Sequence, residues 1–341
     1  MSFSSVAGDS MGDYYRADTL FGDGTFGRVL KCIDTRSGAP VAIKVIRDVE
    51  RYNHAARTEI AILQKIGRLD PNRTCGIVRL LDSFVHLDRH VCLVTEPLGL
   101  SLYDFMTRND YHGMYVNDVQ EIAKHLLKTL KFMRSIGLTH TDLKPENVLF
   151  KYHDFMEVPV LRSTPDATKP RNTALRPVRR DVVVIDLGSA TFREDHHAQV
   201  INTRQYRAPE VVLDVGWSEA SDMWCVACIL LELYTGMLYF RTRDHLEHLH
   251  QMTVACGALP QWMLRQAYKS GSGLVRRPLS GGYRLADHRA VRQDLLSEVI
   301  IDIHRPFREF IEFLLILDPD LRPTPEEALR HRFFSVFLEE R

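Results

Sequence analysis

From Tyr15 to about Val94 the apolar residues come in short alternating runs broken by turn residues, the spacing of half-buried strands. One stretch inside this region, HAARTEIAILQKIG at 54–67, switches to helical spacing. The pattern predicts a small, mainly antiparallel β unit with a single helix. Beyond TEPLGLSLYDFM the period lengthens. DVQEIAKHLLKTLKFMRSIG, 118–137, places its apolar residues on one helical face and stops at Gly137, and long helical segments recur to the end. A second, mainly α unit is expected there. The boundaries read as a disordered tail over 1–14, a first unit over 15–95 and a second over 96–338. Two stretches break the second unit: 151–180, carrying RSTPDATKPRNTALRPVRR, and 261–305, carrying SGSGLVRRPLSGGYR. Rich in Pro, Gly, Arg and Ser and without period, both read as surface insertions, the first of them basic.

Composition narrows the function classes. Lys plus Arg equal Asp plus Glu at 44 each over 341 residues, so no net field draws the chain to nucleic acid or an anionic membrane. The charges of 162–180 are too few and too spread for a dedicated nucleic-acid face, so no direct nucleic-acid binding is expected. The longest apolar run, CVACILLELY, falls well short of a bilayer span, and MSFSSVAGDS shows no secretory pattern. A cytosolic or nuclear protein without membrane contact is expected. Cys225 and Cys228 form the one C-x-x-C, inside an apolar helical stretch, and read as core thiols rather than a zinc or redox pair. His245, His248 and His250 read as a helix face, not a metal site.

Chemistry concentrates in a few motifs. FGDGTFGRVL spaces Gly22, Gly24 and Gly27 as G-x-G-x-x-G-x-V between two candidate strands, where backbone amides can approach phosphate without a Cβ in the way. Alone the pattern is weak. VAIK then puts Lys44 on a strand, and Glu59 lies on the helix that follows, a pair suited to an ion pair that also holds α and β phosphates. LTHTDLKPENVLF supplies Asp142 to accept or orient a hydroxyl proton, Lys144 to neutralise a transferring phosphoryl group, and Asn147 as an oxygen ligand for Mg²⁺. VVVIDLGSA supplies Asp186 as the second metal ligand, and YRAPE closes the segment at 206–210.

In this order Lys44, Glu59, Asp142, Asn147 and Asp186 resemble a eukaryotic protein kinase over about 15–338. The resemblance implies an α+β, bilobal kinase fold, a β N-lobe with helix αC and a larger mainly α C-lobe, using ATP and Mg²⁺. It implies that Val29, Ala42 and Leu149 sandwich adenine and that the hinge EPLG contributes Glu96 and the backbone N–H of Leu98. Thr95 takes the gatekeeper position, and Thr203 is the substrate-loop threonine that hydrogen-bonds Asp142 and Lys144. Glu210 with Arg322, Asp222, and the spine residues His140, Leu187 and Leu63 match structural positions of the family.

The arginine of YRAPE, with GSATF, TRQYRAPEV and GWSEASDMW, resembles the LAMMER, or CLK, branch of the CMGC group. The name motif is degenerate, EHLHQMTVACGALP at 247–260. That branch implies transfer to Ser or Thr near Arg in Arg/Ser-rich nuclear proteins such as splicing factors, with tyrosine autophosphorylation, by a monomeric nuclear enzyme. Glu146, and more weakly Asp104, match carboxylates that recognise substrate arginine. The nearest rival is a DYRK- or cyclin-dependent-like kinase of the same group, but NTRQ lacks the expected Y-x-Y and HAARTEIAIL shows no cyclin-binding helix motif. A pseudokinase scaffold usually loses the lysine, the catalytic aspartate or a metal ligand, and none is lost here. Finally, Thr141 stands where most kinases carry an arginine that receives an activation-loop phosphate. A threonine cannot form that ion pair, so the loop is expected to be held by packing and neutral hydrogen bonds.

Overall fold

The computed structural model describes residues 8–24, 26–160, 173–289 and 291–340. The chain divides into two units, one of residues up to Gly99 with Lys151–His153 and Val183–Ala190, the other of the remainder. The first unit is therefore discontinuous. Residues 96–99, 151–153 and 183–190, placed by sequence in the second unit, cluster with the first. The bridge between Ile77 and Val184 and the bonds from Val184 N–H to the Gly76 carbonyl and from Val78 N–H to the Val184 carbonyl hold the last segment there.

A six-stranded antiparallel sheet forms the first unit, from β1 (Ser10–Met11), β2 (Tyr15–Asp23), β3 (Gly27–Asp34), β4 (Pro40–Ile46), β5 (Leu80–His86) and β6 (His90–Thr95). Their order is β1-β2-β3-β4-β6-β5. Alternate residues of the strands bury one face, with Leu30, Cys32, Val41, Ile43, Val45, Cys92 and Val94 in a shared core. Helix α1 (Glu50–Leu69) buries Ala56, Glu59, Ile62, Leu63 and Ile66, a stripe at spacings of three and four. Residues 8–14 are not a free tail. Gly12, at φ +58°, turns the chain so that β1 pairs with β2 and Met11 becomes fully buried. Residues 1–7 of that expected tail lie outside the described residues.

The second unit is built on helices α2 (Leu102–Arg108), α3 (Val116–Ser135), α4 (Pro209–Val212), α5 (Ala220–Thr235), α6 (His245–Cys256), α7 (Gln261–Lys269), α8 (Leu296–Val299), α9 (Arg305–Leu314) and α10 (Pro325–Ala328). Helix α5 is buried all round, which is why its sequence is apolar without a stripe, and it ends at Gly236 in the left-handed conformation. α3 and α9 pack against it. Cys225 and Cys228 are core residues of α5, their thiols pushed well up by burial.

Both insertions are more regular than their composition suggested. The first forms a hairpin of two antiparallel strands, Phe155–Pro159 with Thr173–Pro177, while 161–172 lie outside the described residues. Among its described residues, Arg176 and Arg180 are not free basic charge: both pair with the buried Asp118 of α3, at 2.6 and 2.7 Å. The second begins as α7, and Val275–Arg276 pairs with Arg284–Leu285. No helix among the described residues is long and apolar enough to cross a membrane.

Candidate active site

In the first unit β4 carries Lys44, directly across the ladder from Val29 on β3 and Leu93 on β6. Its ammonium lies 2.9 Å from Glu59 of α1 and 2.8 Å from Asp186. Burial alone would lower the Lys44 pKa, but the two carboxylates outweigh it and hold the group above its ordinary value, fully charged. Glu59 is itself buried and accepts a second bond from the N–H of Leu187, 3.2 Å away. Asp186 sits at φ +64°, a conformation that costs energy outside glycine and is held by its fixed neighbours.

The glycines differ in what they do. A Cβ on Gly27 would lie 2.1 Å from the Val45 carbonyl oxygen, so only glycine allows β3 to approach β4 there. A Cβ on Gly22 meets nothing within 4 Å. The Gly24 N–H bonds the Gly27 carbonyl at 2.9 Å and closes the turn. Ala42 is buried opposite Thr95, Val29 is half-buried, and Glu96 accepts the N–H of Arg79 at 3.2 Å. The backbone N–H of the buried Leu98 has no acceptor among the described residues.

In the second unit Asp142 is gripped from three sides. One carboxylate oxygen accepts the Thr203 hydroxyl at 2.8 Å and the Thr203 N–H at 3.1 Å, and the other accepts Lys144 at 2.7 Å. Lys144 also donates to the Thr203 hydroxyl at 3.1 Å. The Asn147 side-chain N–H binds the Asp142 carbonyl at 2.9 Å, which fixes the amide with its oxygen as the remaining donor atom for a cation. Beneath them Asp222 of α5 accepts the N–H of His140 at 2.7 Å and of Thr141 at 3.2 Å. Burial drives its pKa up against the lowering effect of His140 and those two bonds. Leu149 is half-buried beside this loop, bridged to Ser101 through the backbone.

Thr141 stands at φ +69°, rare for a β-branched residue. Its carbonyl accepts both the backbone and side-chain N–H of Asn202, at 2.7 and 3.0 Å. Arg207 in turn donates to the carbonyls of Ile201 and Asn202 at 2.9 and 2.7 Å. Upstream, Trp217 stacks on His197, with centroids 4.1 Å apart, and donates to the Ala198 carbonyl at 2.7 Å. Across 197–202 the contacts are ring stacking, amide and backbone hydrogen bonds, the Arg207 guanidinium on two carbonyls, and the Gln199 amide donating to the Asp214 carboxylate.

A structural pair lies deeper. Glu210 and Arg322, both wholly buried, meet through two bonds of 2.7 and 2.9 Å. The protein kinase domain model matches residues 15–334. The chain belongs to the protein kinase family. Relatives place it in the LAMMER branch: it is 38% identical to the human dual specificity protein kinase CLK2 over 96% of this chain. It is 36% identical to human dual specificity protein kinase CLK1 over 97% of this chain, and to the Arabidopsis thaliana serine/threonine-protein kinase AFC2 over 96%. The chain spans 65% of CLK2, 68% of CLK1 and 78% of AFC2. A solved kinase domain superposes with a TM-score of 0.88 at 38% identity, over 98% of both chains, so the bilobal α+β kinase fold expected from sequence is the fold observed.

Two groups of this kinase domain escaped the motif reading. Tyr206 donates to the buried Glu232 of α5 at 2.5 Å, and Glu232 is pushed up to about 7, by burial first, with the Tyr206 bond lowering it and Glu146 raising it. Tyr206 lies inside a motif already read for its neighbours, while Glu232 sits in an apolar helix where one acid looks incidental. Glu146 is exposed. The Asp104 carboxylate accepts the Ser101 hydroxyl at 2.7 Å, and Ser101 caps α2 by accepting the Asp104 N–H at 2.9 Å, so Asp104 has a local role that accounts for it without substrate.

Proposed function

We propose that the chain is a Mg²⁺-ATP-dependent protein kinase that transfers the γ-phosphoryl group to Ser or Thr of proteins, with tyrosine as an autophosphorylation target. The observation that carries this is the Asp142 carboxylate, fixed by Thr203 and Lys144 in an orientation fit to take or orient a hydroxyl proton. Asn147 and Asp186 are hard oxygen donors that suit Mg²⁺, and the amide geometry of Asn147 and the room at Gly22 agree with a metal-bound triphosphate. The nucleotide, when bound, supplies the phosphoryl group. Lys44, pinned by Glu59, offers a fixed positive charge for phosphate oxygens, and Lys144 neutralises charge on the group in transfer. Val29, Ala42 and Leu149 are assigned to adenine, with Thr95, Glu96 and Leu98 along its edge.

The assigned substrates are Arg/Ser-rich proteins of the nucleus, splicing factors among them, with Glu146 receiving the arginine. Support comes from the LAMMER relatives and from the exposure of Glu146. The amide, backbone and ring contacts around Thr141, Asn202 and Trp217, with Arg207 on two backbone carbonyls, support a catalytic loop that assembles without an activating phosphate. The test is transfer from Mg²⁺-ATP by phosphatase-treated protein to an Arg-Ser repeat peptide and to its Arg→Ala counterpart, with Asp142→Asn as the blank. Expected is strong transfer to the first alone, and a loss of at least a thousandfold in the blank. Loss of activity on phosphatase treatment would overturn the neutral clamp, equal use of both peptides the arginine assignment, and no transfer to any protein the enzyme itself.

A further inference from the structure

The equal totals of acid and base over the whole chain conceal one local concentration of charge. Residues 261–292 hold seven Arg or Lys against a single acid, Asp287. That acid is engaged by Arg284, and Arg292 has Asp294 at 3.7 Å. Arg265, Lys269, Arg276 and Arg277 are exposed, and none of their side chains makes a hydrogen bond or ion pair with a described residue. The expected lack of nucleic-acid contact rested on the overall balance and on 162–180, and this face belongs to neither.

The fold gathers these charges around aromatic rings. α7 buries Met263, Leu264 and Ala267, while Gln261, Arg265 and Tyr268, at spacings of four and three, share an outer face. Tyr283 lies along that face: its backbone N–H and carbonyl both bond the Gln261 side chain at 3.0 Å, and its ring meets that of Tyr268 with centroids 5.3 Å apart. Arg265 is therefore beside Tyr283, and the Arg277 guanidinium stands 5.7 Å from the centre of the same ring. Arg276 alternates outward from the buried Val275 on a strand that packs against α7. Tyr268, which precedes Lys269, keeps 43% of its surface exposed. A charged helix face is ordinarily just solvated. This one differs in setting arginines between rings on a fixed frame, with no acid left to answer them. An acidic peptide would satisfy the charges and leave the rings unused, and a duplex hides the faces of its bases. A single strand offers both phosphates for Arg and Lys and flat bases for tyrosine.

We propose that the outer face of α7 and the hairpin that follows it bind single-stranded nucleic acid, with phosphates on Arg265, Lys269, Arg276 and Arg277 and a base stacked on Tyr268. The surface uses none of the residues assigned to phosphoryl transfer, so it stands or falls separately from the kinase reading. Its consequence is to hold the enzyme beside protein substrates that sit on the same strand.

The experiment titrates the full chain against fluorescent oligouridine, oligothymidine, a duplex RNA and an oligoglutamate peptide, each of about 12 units, and reads anisotropy at roughly 50 and 200 mM salt. Expected is binding of the single strands ahead of the duplex and the peptide, weakened roughly fiftyfold between the two salts, as about four phosphate contacts on a single strand require. Arg265→Glu combined with Arg277→Glu should weaken binding by about tenfold or more. Tyr268→Ala should cost about fivefold or more for the single strands, and Tyr268→Phe should retain their binding. Thermal melts of the variants, whose altered side chains are exposed, check that the fold is kept. No binding at the lower salt, undiminished binding in the double variant, or a duplex bound as tightly as the single strands would overturn the proposal. Oligoglutamate bound as tightly would overturn it too, and would assign the face to an acidic protein segment. Where the single strands do bind ahead, the ratio of oligouridine to oligothymidine affinity tells RNA from DNA as the natural strand.

Discussion

Glu232 shows how one side chain acquires a property that its residue type does not announce. Burial raises its pKa to about 7 although the Tyr206 hydroxyl opposes the shift, and the exposed Glu146 adds to it. A carboxyl whose pKa is raised in the folded state contributes stability that is fully present below its unfolded pKa and declines as pH rises through the folded value. Here the window runs from about 4.5 to about 7. Glu232→Gln removes the titration, so the variant should gain stability relative to wild type across that window, by at most roughly 3 kcal/mol. Urea midpoints at pH 5 and pH 8 check this, and parallel curves for the two proteins would refute it. At the same scale Thr141 was legible as a missing arginine, but its left-handed backbone was not, because a φ angle depends on the Asp222 and Asn202 bonds at its two ends.

At the scale of elements, the ladder of β3 and β4 sets the Lys44 site. Gly27 pairs with Ile46 and Val29 with Lys44, so a change in spacing at the glycine is felt two residues away at the ammonium. Gly27→Ala would press a Cβ against the Val45 carbonyl and push the strands apart. The expected result is a stability loss of about 1–3 kcal/mol or more together with weakened ATP binding. Gly22→Ala, which meets nothing in the fold, should keep the melting temperature and raise KM for ATP. Thermal melts and ATP titrations of both variants separate packing from ligand approach, and equal melting losses would show the division to be wrong. The motif G-x-G-x-x-G cannot distinguish these roles, since the Val45 carbonyl that excludes a side chain lies on another strand.

For the whole molecule, the hairpin of the first insertion is part of the architecture. Asp118, with 1% of its side chain exposed, binds Arg176 through two bonds and Arg180 through one. Arg176 also reaches Glu340, and Asn117 holds Glu340 and the Leu338 carbonyl at 2.7 Å, so α3, the hairpin and the C-terminal segment share one polar knot. Asp118→Ala would leave two arginines without their common partner, at a cost on the order of 3 kcal/mol. The melting temperature should fall by several degrees while activity at low temperature persists. A shift no larger than that of the exposed Asp302→Ala would count against the knot.

The sequence alone determined the kinase fold and the residues to assign to its site, because strand and helix periods are local and because the lysine, aspartates and asparagine stand in fixed order along the chain. It also determined that position 141 cannot receive a phosphate as an arginine would. Tertiary structure decided what depends on distant partners: that Ser10–Met11 pair as a strand, that Arg176 and Arg180 share Asp118, that Gly27 and Gly22 serve different ends, and that Glu232 titrates near neutrality. The physical reason is common to all of them. Charge compensation, burial and close approach are properties of neighbours in space, and 58 residues separate Asp118 from Arg176 along the chain.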